Sequence, residues 1–118
     1  LAAMAIPVLL RQRIQANEAA AVQNLRTIST AQISFNTVNL RYGTFEELST
    51  STGPGGTSYL DGLWQQNVVR NEYIYTMDQG QNEFQAVAAP KRPGSTGLRI
   101  FTVDTSGRIT YEAAPLGG

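Results

Sequence analysis

The chain carries nine acidic and nine basic side chains, yet it has no histidine and no cysteine. The usual neutral-pH general base, the commonest metal ligand and any thiolate nucleophile are therefore missing. There is no G-x-S-x-G, no S-x-x-K and no phosphate-cradling glycine loop, and Lys91 is the single lysine. The remaining acid–base candidate is a carboxylate pair, Glu46 and Glu47. Adjacent residues on a helix diverge by about 100°, so these two do not share a substrate. Asp61, Asp78 and Asp104 offer oxygen ligands of the kind calcium takes, but none lies in a D-x-D-x-D-G loop, and Asp104-Thr-Ser-Gly107 reads as a turn. Lys91 and Arg92, between Pro90 and Pro93, form a small basic tip; two cations make a weak phosphate site, and a solvated loop is the plainer reading. Tyr73, Tyr75, Phe84, Phe101 and Tyr111 fall at strand spacing with only Arg99 and Arg108 nearby, which fits sheet packing better than a base-stacking platform. These residues predict no catalytic group, no metal ligand, no cofactor and no nucleic-acid partner.

The elements that position these side chains follow from composition and period. The 118 residues, 42% hydrophobic and 15% charged with zero formal net charge, suit one compact domain rather than a disordered or broadly basic chain. Charge is uneven along it. Residues 1–41 hold Arg11, Arg13, Arg26 and Arg41 against Glu18 alone, so this part is three positive and the remainder three negative, a polarity compatible with self-association.

LAAMAIPVLL, residues 1–10, is apolar throughout. Ten helical residues rise about 15 Å, half of a bilayer's hydrocarbon core, so the run does not span a membrane alone and reads as the end of a longer apolar segment. Leu10, Ile14, Ala21, Val22, Leu25, Ile28, Phe35 and Val38 recur mostly at steps of three and four, and alanines at 16, 19, 20, 21 and 31 favour helix. One helix is predicted over residues 1–40, closed by a glycine cap at Gly43 and kinked or locally melted at Pro7.

Residues 43–72 read as a connector. It contains a short helical turn at 44–48 capped by Thr44, a Gly/Ser/Thr loop at 49–58 that is a candidate for glycosylation, and Leu60, Leu63, Trp64 and Val68 covering the helix. The period then changes to two. NEYIYTMDQ, EFQAVAAP, LRIFTVD and RITYEA, separated by GQN, PKRPGSTG and TSG, predict a four-stranded antiparallel meander over 73–112. The predicted fold is α+β, a long N-terminal helix packed on a small four-stranded sheet whose inner face buries Tyr73, Tyr75, Phe84, Ile100 or Phe101, and Ile109.

The stretch LAAMAIPVLLRQRIQANEAAAVQNLRTISTAQISF closely resembles the second half of the N-terminal helix of type IV pilins and related pseudopilins, in which LAA-x-A-I-P precedes a polar Asn-Glu-Ala helix. The C-terminal strands resemble the sheet of pilin heads less diagnostically. In the family about fifteen apolar residues come before the matching point, and the leader peptide, the methylated first residue and an early glutamate have no counterpart in these 118 residues. Arg11 and Arg13 run against the positive-inside tendency, and no disulfide-bounded loop is possible.

The resemblance implies a structural subunit of an extracellular, cell-surface filament. Its partners would be copies of itself, the inner membrane before assembly, and the assembly machinery. It assigns residues 1–24 to filament assembly through Leu1, Met4, Ile6, Pro7, Val8, Leu9, Leu10 and Ile14. Residues 25–118 form the head; Val22, Leu25, Ile28 and Phe35 join helix to sheet, and Pro7 corresponds to the family's helix-breaking proline. Two other readings remain open: a pseudopilin of a type II secretion system, and a soluble ligand- or partner-binding module of another class.

Overall fold

A computed structural model describes the backbone of residues 2–53 and 55–115, and side chains within this range from Leu9 onward. Helix α1 (Ala2–Asn39) lies along the molecule, followed by α2 (Phe45–Thr50) and strands β1 (Val68–Arg70), β2 (Tyr73–Gln79), β3 (Phe84–Pro90), β4 (Arg99–Asp104) and β5 (Ile109–Ala113). The strands form one antiparallel sheet in sequential order. The architecture is α+β, with extents of 56 × 26 × 20 Å.

Seven buried positions of α1 step by four and three residues, Ile14, Glu18, Ala21, Leu25, Ile28, Gln32 and Phe35, with Ser29 and Ala31 buried beside them. This is one stripe of a 3.6-residue period facing the sheet. Val22 packs against its margin, half-buried. The facing side of the sheet supplies Tyr73, Tyr75 and Met77 from β2, Ala86 and Ala88 from β3, and Phe101 and Val103 from β4. The small alanines in the middle strand let the helix approach between flanking aromatic rings. Ile100 and Ile109 are only half-buried; Ile100 belongs to the opposite face of β4 from Phe101 because successive strand residues alternate.

Five strands replace the four predicted. The extra one, β1, pairs Val68 with Tyr75 and Arg70 with Tyr73. Its two-residue turn, Asn71-Glu72, has both residues at positive φ (53° and 64°). That is the geometry of a primed hairpin turn, without the glycine that usually marks one. Three residues and a glycine-free turn carry too little signal to separate β1 from the connector.

The end of α1 also differs. Leu40 takes the left-handed conformation (φ 60°) and donates its N–H to the Asn36 carbonyl at 2.8 Å, ending the helix three residues before Gly43. Gly43 serves contact instead: a Cβ there would sit 3.1 Å from the Phe35 ring. Its N–H and C=O are both held by the Gln32 amide, at 2.9 and 2.7 Å. Thr44 caps α2 in a reciprocal capping box with Glu47.

Helix α1 continues across Pro7. A proline there forfeits only the bond to the Ala3 carbonyl, near the helix start, so the predicted break is not needed. Val38 and Leu63, expected against the core, are 54% and 81% exposed. The turn that buries Leu60 and Trp64 carries Leu63 outward.

Candidate assembly surface

Every described side chain from Leu9 to Arg13 is exposed, and Ile14 is the first that the head covers. Leu9 and Leu10 are 57% and 42% exposed although both continue an apolar run. Leu10 keeps the spacing of the buried stripe but lies before the sheet begins. Leu1 and the side chains of Met4, Ile6, Pro7 and Val8 lie outside the described residues. Contact between helix and head thus starts at residue 14, eleven residues before the boundary expected at 25. Ile14, assigned to assembly, is buried at 7% exposure in the chain's own fold.

The junction is built from polar groups. Asn17 donates Nδ2–H to the Thr96 carbonyl at 3.0 Å. The Glu18 carboxylate accepts the Leu98 backbone N–H at 3.0 Å and an Arg99 guanidinium N–H at 3.1 Å. Glu18 is nearly buried, so the two donors offset its lost hydration. Arg99 in turn lies over the rings of Tyr111 (4.6 Å) and Phe101 (5.0 Å), and the hydrogen bond to Glu18 is the main cause holding its guanidinium pKa above the ordinary value.

Beneath this clamp, the buried Tyr73 hydroxyl donates to the Arg99 carbonyl at 2.8 Å. Burial first, and then the Glu18 charge, raise its pKa. Gly97 abuts the Tyr73 ring so closely that a Cβ would lie 2.1 Å from Oη. Further down the helix, Asn24 donates to the Tyr75 hydroxyl at 2.9 Å; burial is the leading cause raising that tyrosine's pKa. The 93–98 loop is therefore a fixed seat for residues 14–18, and the helix before residue 14 stands clear of it.

Glu18 and Gln32 escape a reading that follows only apolar residues, yet both occupy the buried stripe. The signal was the spacing itself: the four–three rhythm from Ile14 to Phe35 requires positions 18 and 32 to face inward.

The other candidate groups are spread apart. Glu47 is engaged by the Thr44 N–H and by Arg41 at 2.6 Å, while Glu46 is exposed. The Arg41 hydrogen bond is the principal cause holding the Glu47 carboxyl down at about 2. Asp61 lies by Trp64, whose indole N–H donates to its carbonyl at 3.0 Å. Asp78 and Asp104 share a concavity with Glu83. Asp104 accepts from the Ser106 N–H and hydroxyl, the causes that lower its pKa. Among the described residues no group of three or more His, Cys, Asp or Glu is placed to hold a metal ion. Lys91 and Arg92 are exposed, and their backbone N–H groups bond to the Glu72 carbonyl and the Thr96 hydroxyl. Tyr73, Tyr75, Phe84 and Phe101 are core, whereas Tyr111 is 63% exposed beneath Arg99. No helix among the described residues is long and apolar enough to cross a membrane.

No family model matches the chain, and comparison with curated proteins finds no match either.

Proposed function

We propose that the chain is a structural subunit of a type IV pilus-like filament, polymerising through the N-terminal part of α1. The supporting observation is the exposure of Leu9 and Leu10 on a helix whose next turn is firmly seated by Asn17 and Glu18. An apolar surface held rigidly away from its own core gains of order 25 cal/mol per Å² when a second copy covers it. Helix residues 2–13 amount to roughly 18 Å of projecting rod, and an open, head-to-tail contact along it generates a helical fibre rather than a closed ring. Before assembly the same apolar stretch, together with the preceding residues that the family resemblance implies, would lodge in the inner membrane. The resemblance in LAAMAIPVLL and the Asn-Glu-Ala helix selects pilins among filament classes.

The test is Leu9→Asp with Leu10→Asp in the native subunit. Both side chains are exposed, so the melting temperature of the head stays within about 2 °C of the parent, following the ±0.5 kcal/mol typical of surface changes. Filaments seen by electron microscopy disappear. Fibres of normal abundance from this variant would overturn the proposal. Short periplasmic fibres that form only with a secretion apparatus would transfer it to the pseudopilin reading.

A further inference from the structure

Among the described residues the chain makes two ion pairs, Glu18–Arg99 and Arg41–Glu47. Glu18 is the only acid before residue 46, and its own head consumes it. Arg11 and Arg13 therefore stand exposed on the projecting helix with no acidic partner among the described residues.

The missing counter-charge lies at the opposite pole. The Tyr42 N–H donates to the Gly80 carbonyl at 3.1 Å, which fixes the β2–β3 turn just past the end of α1. There Asp78, Glu83 and Asp104 border a concavity of about 640 Å³ whose lining includes no cation. Arg108 acts on Asp104 from nearby, and neither Asp78 nor Glu83 is in an ion pair among the described residues. From Arg13 to its end at Asn39 the helix runs roughly 39 Å, several Debye lengths at physiological salt. The two poles cannot neutralise one another within a copy. They can between copies displaced along the helix axis.

We propose that Arg11 and Arg13 of one copy seat against the Asp78–Glu83–Asp104 pole of a second copy, and that this charge contact sets the register of the polymer. The inference rests on the filament reading. The apolar residues drive association, and the charges select one displacement, because a wrong register sets like charge against like or leaves a charge unpaired.

The chain's lack of cysteine allows a clean cross-linking test that leaves the charges intact. Gln12→Cys in one population is mixed with Asn82→Cys in another at about 20 mM salt and oxidised. The mixed disulfide is expected to form. It should fall at least about fivefold near 1 M salt, where the Debye length is about 3 Å. It should fall similarly when Arg11→Glu and Arg13→Glu are added to the first population, and return when the second also carries Asp78→Arg and Glu83→Arg. Failure to cross-link, insensitivity to reversal, or no recovery in the swapped pair overturns the contact. Electron microscopy separates this from the parent reading. Normal fibres from the Arg11→Glu/Arg13→Glu subunit sink the charge register and leave the filament standing, whereas absence of fibres from the unaltered protein sinks both.

Discussion

Gly97→Ala is the sharpest probe of how the helix is seated. A Cβ at this position would meet Tyr73 Oη at 2.1 Å, Cζ at 2.6 Å and Cε1 at 2.7 Å. The ring cannot retreat easily, because Tyr73 is fully buried and its hydroxyl is bonded to the Arg99 carbonyl. Overpacking of a core costs about 1–3 kcal/mol, and displacing the hydroxyl forfeits a buried hydrogen bond of about 1 kcal/mol. A total near 3 kcal/mol, at about 4 °C per kcal/mol for a domain of this size, lowers the melting temperature by roughly 12 °C. The 93–98 loop also carries the Thr96 carbonyl and Leu98 N–H that hold Asn17 and Glu18, so amide exchange in residues 14–18 should accelerate beyond the global change. Tyr73→Phe by itself costs about 1 kcal/mol. In the double variant it removes the nearest clashing atom, so the two changes should sum to at least about 1 kcal/mol less than additive. Thermal melting of the four species measures the cycle. A Gly97→Ala shift below about 2 °C, or strict additivity, would refute the close approach.

Gln32→Leu leaves the buried Gly43 N–H and C=O unpaired and should cost about 2–4 kcal/mol by urea unfolding; a neutral outcome would mean that water reaches the site. Glu18→Ala removes the acceptor of the Leu98 N–H and of Arg99, with an expected loss of about 2 kcal/mol and faster exchange of the Leu98 amide, whereas unchanged exchange there would count against the clamp. Glu47 titrates below its ordinary range, at about 2, so its stabilisation is complete above the unfolded pKa near 4.3 and fades as pH falls toward 2. The urea-midpoint gap between the parent and Glu47→Gln, modest at about 0.5–1 kcal/mol because the pair is partly solvated, should be present at pH 5.5 and nearly gone at pH 2; an equal gap at both would be inconsistent with the pairing.

The helix was legible because its apolar positions repeat at steps of three and four and its alanines favour helix, although Pro7 pointed to a break that the 38-residue helix does not show. Four strands were legible because period-two runs such as YIYTMDQ and FQAVAAP end at turn residues. Strand β1 was not, since three residues gain their identity only by pairing with β2. For the candidate surface, the sequence displayed the apolar start and its basic neighbours, but not where the head begins to cover them.

By itself, then, the sequence determined the period and polarity of each segment, the lack of thiol and imidazole chemistry, and the separation of charge along the chain. Local spacing and composition suffice for these. The tertiary structure decided that contact with the head begins at Ile14, that Glu18 and Gln32 face inward with partners found 80 and 11 residues away, and that Gly43 and Gly97 serve close packing. Which group a side chain meets depends on elements brought together over long stretches of chain. Burial of a polar residue becomes affordable only once those partners are in place.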